Sequence, residues 1–434
     1  MTVQPFKIDD PVGQAKEIRE RLAQPGNIKD LERRIQGIID EVRVGGDEAV
    51  KALTMRFDGV DLAGRGLSVS REEVEAAYWK VSNDQVEALK TLGGRVERVE
   101  KRVFEGLEYA FHDREYDVSI RGVVRPISSV GCYAPGGLAA YPSSLIMAVT
   151  PAKVTGVPRV VVCTPPGKNG EVNPLVLVAA DLAGVDEIFR VGGAQAIAAL
   201  AYGTESINPV KKIVGPGNIY VTLAKTLVSK HVSTDFPAGP TELVVLADEE
   251  ADSWIIALDL IAQAEHDPMS SVGLITESES LAREVAERLG EVMRDASRKD
   301  VVSQAISRNA FIGVCKSLRE CIEFINAFAP EHLEVLAEGQ EEVVEKIQNA
   351  GLITVGEYSS VSLSDYCLGT NHVLPTSGYA GTYSGLSVRD FVKVIQVATA
   401  KRSTVERCLD WVSILAEAEG LPNHLTALEG RLRR

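Results

Sequence analysis

The sequence predicts an α/β protein with two doubly wound parallel-sheet domains. From about residue 119 onwards, short apolar runs bounded by Gly and Pro alternate with helical segments, which is the order expected of βαβ units. The alternation falls into two blocks, and the second begins at residues 241–248 with TELVVLAD. Hydrophobic residues make up 45% of the 434 residues, so the chain can bury the large core that two such sheets need.

The region before the alternation is predicted to be helical and to act as scaffold. Residues 1–25 are polar and rich in proline, which indicates an arm with a short helix. Across residues 27–102, apolar residues recur at spacings of three and four, with a break at the glycine pair 45–46. Ser70 followed three residues later by Glu73 is a capping-box pattern, which marks the start of a helix.

The strands of the two blocks are predicted from their apolar runs, and the tail after about residue 387 is predicted to be helical again. The first block contributes the runs SIRGVV, ISSVGCY, RVVVC, EIFRV and KKIV. The second contributes TELVVLAD, SSVGLIT, NAFIGVC, HLEVLA and GLITVG. Helical segments lie between them, so both sheets are expected to be parallel and covered on both faces.

Three glycine-rich turns of the first block are each predicted to lie between a strand and a helix. They are residues 131–137 (GCYAPGG), 191–196 (VGGAQA) and 214–218 (VGPGN). Such turns place backbone amides at a helix N-terminus, where an anion or a dinucleotide can bind. None has the GxGxxG or GxxxxGK[ST] spacing, and any one alone is better explained as a tight βα turn. Together, at the carboxyl ends of strands in one sheet, they are consistent with a nucleotide or another phosphate-bearing ligand.

In the second block, a predicted helix ends in polar side chains within residues 258–268 (LDLIAQAEHDP). Gln263 and His266 are three residues apart, so they are expected on one helix face, where they could form half of a metal site. A single His at a helix C-terminus is more often a cap or a surface residue. Asp365, in a Ser-rich segment expected to be a loop, and a distant His would complete an N/O site suited to zinc or another divalent cation.

Glu331 and His332 are adjacent and form a possible acid/base pair, because His titrates near neutrality and a carboxylate can activate water. The alternative is an ordinary loop residue followed by a partly buried strand residue. The six cysteines have neither zinc-ribbon nor disulfide-scaffold spacing, which indicates a reducing compartment. Cys132 and Cys367 could lie near a site, but no adjacent His favours a nucleophilic role for either one.

Charge and hydropathy exclude some functional classes. The formal net charge of −15 argues against a general nucleic-acid binder, because phosphate binding needs concentrated Lys and Arg. The sequence has no run of 18 apolar residues and no basic-then-apolar leader at its N-terminus. The expectation is a cytoplasmic protein that binds neither membrane nor nucleic acid.

Eight stretches, in this order along the chain, resemble the histidinol dehydrogenase family, whereas the first hundred residues resemble it only in helical character. One departure is Thr241, where the family usually has Ser and the hydroxyl is kept; residues 378–391 and the segment around His424 are also looser than usual. The similar stretches are residues 130–157, 189–207, 214–221, 238–248, 260–267 (LIAQAEHD), 329–335 (APEHLEV), 364–376 (SDYCLGTNHVLPT) and 416–424 (AEAEGLPNH).

The resemblance implies an enzyme that oxidises L-histidinol to L-histidine via L-histidinaldehyde, the last step of histidine biosynthesis, with reduction of two NAD. It also implies a homodimer with a shared active site and one zinc ion per subunit, which orients the substrate. The fold would be two incomplete Rossmann-like domains with helical N- and C-terminal extensions. The implied zinc ligands are Gln263, His266, Asp365 and, from the partner subunit, His424.

The same resemblance assigns roles to other positions. His332 would take the proton of the substrate hydroxyl, and Glu331 would activate the water that attacks the aldehyde. The implied NAD contacts are Tyr133, Gln195 and Asn218. The implied substrate contacts are Thr241, His332, His372 and Glu419, together with the four zinc ligands.

The resemblance also suggests a division of the chain, and two alternatives remain open. A paralogue could oxidise another diol, such as sulfopropanediol, and a non-catalytic nucleotide-binding or assembly protein is the alternative from a different class. Four segments are predicted: 1–25, an arm; 26–128 with 242–384, an α/β domain carrying most of the metal and substrate site; 129–241, an NAD-binding α/β domain; and 385–434, a helical tail donated to the partner subunit.

Overall fold

The computed structural model describes residues 3–22, 28–136 and 140–433. Helices flank three separate sheets in this part of the chain. The helices are α1 (Pro11–Leu22), α2 (Ile28–Asp58), α3 (Arg71–Tyr78), α4 (Asn83–Glu105), α5 (Pro142–Val154), α6 (Pro174–Leu182), α7 (Gly193–Tyr202), α8 (Ile219–Val228), α9 (Ser253–Ala264), α10 (Glu279–Asp295), α11 (Lys299–Asn309), α12 (Leu318–Phe328), α13 (Gln340–Lys346), α14 (Val361–Tyr366), α15 (Arg402–Ala418) and α16 (Pro422–Leu432).

The strands follow the alternation predicted from the sequence, with additions at both ends of the chain. They are β1 (Phe6–Lys7), β2 (Tyr109–Asp113), β3 (Val118–Pro126), β4 (Val130–Tyr133), β5 (Val160–Thr164), β6 (Glu187–Arg190), β7 (Lys212–Val214), β8 (Ser233–Thr234), β9 (Glu242–Ala247), β10 (Ser271–Thr276), β11 (Phe311–Val314), β12 (His332–Leu336), β13 (Leu352–Val355) and β14 (Val392–Ala400).

The second block forms a six-stranded sheet in the order β1-β11-β10-β9-β12-β13, with all neighbours parallel. Strands β9 and β10 are buried along their whole length because helices cover both faces. Helices α9, α10 and α11 pack on one face, and α1 and α12 pack on the other. The N-terminal arm thus contributes the edge strand β1, which sequence analysis did not predict.

The first block forms a five-stranded parallel sheet in the order β6-β5-β4-β7-β8. Helices α4, α5 and α6 cover one face, and α2, α7 and α8 cover the other. The N-terminal helices α2–α4 therefore lie with this sheet, whereas the predicted division grouped residues 26–128 with residues 242–384. The two doubly wound parallel sheets confirm the predicted fold class.

A third, antiparallel sheet has the order β14-β3-β2 and was not predicted. The run SIRGVV lies in β3 and thus outside the parallel sheet, and the tail is extended over residues 392–400 where it was predicted to be helical. The segment VKVIQVATA is rich in β-branched residues, which favour strands, and it pairs with β3 along its length. The prediction was wrong for this segment because the pairing partner lies far away in sequence.

Local predictions in the helical region are confirmed. The Ser70 hydroxyl accepts the Glu73 amide, and the Glu73 carboxylate accepts the Ser70 amide, so the capping box forms. Gly46 interrupts α2 with φ +52°, and a Cβ atom there would overlap the Glu205 carboxylate. No helix within the described ranges is long and apolar enough to cross a membrane.

Candidate active site

The candidate site lies at the amino edge of the six-stranded sheet. Thr241 immediately precedes β9, Glu331 immediately precedes β12, and His332 is the first residue of β12. Strands β9 and β12 are neighbours, so the parallel pairing places these starting residues side by side. Helix α9 runs back toward the same edge and brings Gln263 there in its last turn.

Thr241 connects the acid of the site to the amide of Gln263. Its hydroxyl donates to Oε2 of Glu331 at 2.5 Å and accepts Nε2 of Gln263 at 2.6 Å. The backbone amide of Glu242 donates to the same Glu331 oxygen at 2.7 Å. The amide nitrogen of Gln263 is thereby occupied, which leaves its carbonyl oxygen for another ligand.

Glu331 is a buried acid whose pKa is raised above its ordinary value. Burial raises the pKa of its carboxyl well above the ordinary value, and the hydrogen bonds from Thr241 and Glu242 offset only part of that effect. The nearby carboxylates of Glu242 and Asp365 raise the pKa further. An acid with a raised pKa is a better proton acceptor once it ionises.

His332 is buried and held neutral. Burial lowers the pKa of its imidazole to about 4, and the nearby Asp365 carboxylate offsets only part of that shift. Its Nε2 lies 4.0 Å from Oε1 of Glu331, and its Nδ1 has no hydrogen-bond partner within the described residues. A neutral imidazole with an unpaired ring nitrogen can accept a proton from a substrate hydroxyl.

Asp365 is the centre of a second cluster beside the Glu331–His332 pair. Its Oδ2 lies 4.0 Å from Nε2 of His266, and its Oδ1 lies 3.4 Å from Nδ1 of His372. Burial opposes ionisation of this carboxyl, but His372, His332 and His266 outweigh it and lower the pKa of Asp365. Asp365 is therefore ionised at neutral pH, as a metal ligand needs to be.

Two local predictions about this cluster were wrong. Asp365 lies on the short helix α14 and not in a loop, because Ser360 caps that helix through the Leu363 amide. His266 lies beyond the last residue of α9, after the C-cap Glu265, and not on the helix face of Gln263. The backbone amide of His266 still bonds to the Gln263 carbonyl at 3.3 Å, so a tightened turn continues from the helix end to His266.

The structure brings together three of the four predicted zinc ligands: Gln263, His266 and Asp365. The fourth, His424, is exposed on α16, a helix without a buried residue, and the predicted substrate contact Glu419 is exposed at the end of α15. No group of three His, Cys, Asp or Glu within the described residues could hold a metal ion. Of the predicted ligands, this chain brings together the His266 imidazole, the Asp365 carboxylate and, as a third donor, the amide oxygen of Gln263.

The three glycine-rich turns lie at the carboxyl edge of the five-stranded sheet, as predicted. The hydroxyl of Tyr133, the last residue of β4, accepts the Gly193 amide at 3.1 Å, and Gln195 is buried in the first turn of α7. Asn218 is exposed and caps α8 by accepting the amides of residues 220 and 221. Position 137, the last glycine of the first turn, lies outside the described residues.

Gly215 shows why a glycine-rich turn is required after β7. Its φ is +117°, and a Cβ atom there would lie 2.2 Å from the carbonyl oxygen of Tyr133. Two residues with buried side chains, which sequence analysis missed, hold this turn. Lys225 donates to the Gly215 carbonyl at 2.9 Å and to Asp235 at 2.5 Å, and Asp235 accepts the Gly215 amide at 2.8 Å. No short-range sequence signal marks this ion pair, because its residues lie ten apart and on different elements.

The two edges meet at the segment that contains His372. Nε2 of His372 lies 3.3 Å from the hydroxyl of Ser144, at the start of α5, and Asn371 donates to the Met147 carbonyl at 2.8 Å. The carboxyl edge of the five-stranded sheet therefore faces the amino edge of the six-stranded sheet. Ser144, which sequence analysis did not select, is thus a residue of the first block that contacts the cluster.

Comparison with known proteins agrees with the sequence resemblance. A profile of the histidinol dehydrogenase family matches residues 23–432. Histidinol dehydrogenase of Methanothermobacter thermautotrophicus is 46% identical over 407 residues, which cover 94% of this chain and 95% of that protein. The enzyme of Clostridium acetobutylicum is 44% identical over 399 residues, or 92% of each chain. The crystal structure of histidinol dehydrogenase from Elizabethkingia anophelis matches with a TM-score of 0.94 and 34% identity, covering 99% of this chain and 98% of that one. The chain belongs to the histidinol dehydrogenase family.

Proposed function

We propose that this protein oxidises L-histidinol to L-histidine via L-histidinaldehyde, with reduction of two NAD, as the last step of histidine biosynthesis in the cytoplasm. The observation that carries the proposal is the buried Glu331–His332 pair next to the Gln263, His266 and Asp365 cluster. Family membership supports the substrate, and no observation favours the sulfopropanediol alternative over it.

Four residues are proposed to hold zinc: Gln263, His266 and Asp365 of one subunit and His424 of another. The donor set fits, because an ionised carboxylate, an imidazole and an amide oxygen are ligands that zinc accepts. The 4.0 Å between His266 and Asp365 is too long for a hydrogen bond and leaves room for a cation to contact both. When bound, zinc would act as a Lewis acid that orients the imidazole and amine of the substrate.

The protein's own residues then carry the proton transfers. His332 accepts the proton of the substrate hydroxyl as a hydride passes to NAD from the carbon that bears this hydroxyl, which gives the aldehyde. Glu331 accepts a proton from the water that attacks this aldehyde, and the resulting hydrate anion loses a second hydride to a second NAD. The carboxylic acid that this forms releases its remaining proton to solvent. The two steps remove four electrons and leave the carboxylate of the product.

The nucleotide is proposed to bind at the carboxyl edge of the five-stranded sheet, within residues 129–241. Tyr133, Gln195 and Asn218 lie in the three turns there, and the start of α7 offers backbone amides for a pyrophosphate. The substrate is proposed to lie between the two edges, in contact with Thr241 and His372. This arrangement places the reacting carbon between the acid/base pair and the nucleotide.

The tail, residues 385–434, is proposed to complete the site of a second subunit in a homodimer. Helices α15 and α16 pack on each other and leave apolar side chains exposed, including Ile414 at 67% and Leu415 at 52%. Such a surface on an otherwise well-packed chain favours burial against a partner. Glu419 and His424 would then reach the cluster of the other subunit.

The test is an NADH assay with L-histidinol on purified protein of measured zinc content. We expect two NADH per histidinol consumed and loss of activity after chelation, with recovery on addition of zinc. Sulfopropanediol and other alcohols serve as comparison substrates under the same conditions. Absence of NADH formation from histidinol in zinc-loaded protein would refute the proposal, and strong preference for an alcohol without imidazole would replace it with the paralogue.

A further inference from the structure

A buried carboxyl behind the site ties the strand of His332 to the helix of Asp365. Glu334 lies two residues after His332 in β12, on the same face of the strand, and is 2% exposed. Its Oε1 accepts the backbone amide of Val361, the first residue of α14, at 2.6 Å. The proposed mechanism gives Glu334 no part, although the bond fixes the helix that presents Asp365.

A second carboxyl, that of Asp259, lies in hydrogen-bonding contact with Glu334. Asp259 is on α9, four residues before Gln263, so it lies one helical turn away on the same face. The other oxygen of Glu334, Oε2, finds no hydrogen-bond donor within the described residues. Two carboxylates cannot bond to each other, whereas a carboxylic acid and a carboxylate can, so the contact requires one proton held between them.

Among the described residues, no positively charged group acts on the pair in place of that proton. Asp259 is the charged group that acts on Glu334, and on the neighbouring strand β13 the residue paired with Glu334 is Thr354. The Thr354 hydroxyl is buried and also has no partner within the described residues. Burial and the repulsion between the two carboxyls raise the pKa of Glu334 above its ordinary value, so the shared proton is retained at neutral pH.

We propose that Glu334 and Asp259 are positioning residues of the site, whose proton-bridged contact holds the helices carrying Gln263 and Asp365 against the strand of His332. The inference rests on the proposed function for the role of these ligands in holding zinc. It predicts that the pair sets how firmly zinc is held without touching it. Loss of the shared proton at high pH would leave two adjacent negative charges, that of Glu334 buried and that of Asp259 partly buried, which would push α9 and β12 apart.

The test compares Glu334→Gln with Glu334→Leu in the zinc-loaded protein. The Gln side chain accepts the Val361 amide and donates to Asp259 without needing a shared proton, whereas Leu does neither. Glu100 provides the matched control, because it is a buried Glu that accepts a backbone amide, that of Val388, in another part of the fold. Glu100→Leu removes the same kind of bond there.

The first readout is the rate at which a chelator removes zinc between pH 6 and pH 9. Glu334→Leu should lose zinc about 10–100-fold faster than wild type, as is usual when a residue supporting metal ligands is removed, and Glu100→Leu should not. Wild type should lose zinc faster as pH rises, because the shared proton is lost. Glu334→Gln has no such proton, so its rate of zinc loss should rise less with pH. His266 and the other imidazoles are unchanged in Glu334→Gln, so the difference between the two pH profiles isolates the pair.

The second readout is amide hydrogen exchange, measured with and without zinc. Glu334→Leu should raise exchange in both α14 and the last turn of α9, whereas Glu100→Leu should leave both unchanged. If purified wild type holds no zinc, the proposed function fails, and the exchange data still test the positioning role. The inference would be overturned if Glu334→Leu lost zinc and exchanged amide hydrogens at the same rates as wild type. It would also be overturned if the pH profile of zinc loss in Glu334→Gln were the same as in wild type.

Discussion

At the scale of single residues, the chemistry of the site depends on what surrounds Glu331. One of its oxygens receives two hydrogen bonds, from the Thr241 hydroxyl and the Glu242 amide, while burial opposes its ionisation. The balance keeps the pKa of the carboxyl raised, but less than burial alone would raise it. The Thr241 hydroxyl therefore tunes the proposed base as well as linking it to Gln263.

Replacing Thr241 should shift the pH dependence of catalysis. Thr241→Val removes a hydrogen bond that lowers the pKa of Glu331, so that pKa should rise. The rise of kcat with pH should therefore occur at a higher pH in the variant than in wild type. At neutral pH we expect about a tenfold lower kcat or more, in line with about 1.5–3 kcal/mol for a hydrogen bond to a charged group. The measurement is kcat between pH 6 and pH 10. Thr241→Ser, which keeps the hydroxyl, should follow wild type, and equal profiles for Val and wild type would contradict the assignment.

At the scale of elements, Glu100 joins helix α4 to the segment before β14. Its carboxylate accepts the Val388 amide at 2.8 Å, and burial, offset in part by that bond, raises its pKa to about 7. Residues 387–390 also form a capping box, in which the Ser387 hydroxyl and the Asp390 carboxylate bond to each other's backbone amides. The start of the third sheet is thus held by a buried acid that ionises near neutral pH.

This acid should make folding stability fall as pH rises. Because the pKa of Glu100 is higher in the folded state than its ordinary value of 4.5, the folded protein binds more protons between pH 4.5 and about 7. The contribution of Glu100 to stability is therefore fully present below this window and is lost through it, which amounts to about 3 kcal/mol. Denaturant unfolding of Glu100→Gln should lack this decrease. Glu87→Gln, an exposed acid of the same helix, should keep it, and parallel curves for wild type and Glu100→Gln would contradict the prediction.

At the scale of the whole molecule, the carboxyl edge of the five-stranded sheet faces the amino edge of the six-stranded sheet. The tail lies apart from the site that its residues are proposed to complete. The two edges meet where Nε2 of His372 contacts the hydroxyl of Ser144. Strands of the five-stranded sheet end there, and strands of the six-stranded sheet begin there. The proposed base and the proposed nucleotide turns therefore face each other across the gap. His424 and Glu419, in contrast, lie exposed on α16 and at the end of α15.

A mixed dimer should reveal whether His424 acts across subunits. Glu331→Gln and His424→Ala chains, each expected to be inactive alone, would be co-expressed with different affinity tags, and the doubly tagged heterodimer purified. If the tail is exchanged, one site has both wild-type residues, so the heterodimer should show about half of wild-type activity, as expected for two equivalent sites in a two-fold dimer. Sites built from a single chain would give no activity in the heterodimer. The tagged wild-type dimer is the control.

The fold class and most of the candidate site could be predicted from local sequence patterns. The two alternating blocks, the capping box at Ser70 and the three glycine-rich turns all formed, because each depends on residues close together in the chain. Glu331 and His332 could be selected because they are adjacent, and Gln263 with His266 because they are one turn apart. The signal for Asp365 was weaker, and its short helix was missed.

What the sequence by itself determined was which residues could do the chemistry, and what only the tertiary structure decided was how they meet. Thr241, Glu331 and His332 come together because β9 and β12 pair in parallel register, although about 90 residues separate them. The long strand β14 and the side-chain pairs Lys225–Asp235 and Asp259–Glu334 likewise depend on partners brought near only by folding. Short-range patterns reflect local backbone preferences, whereas burial, strand pairing and the pKa shifts at Glu331 and His332 arise from distant parts of the chain.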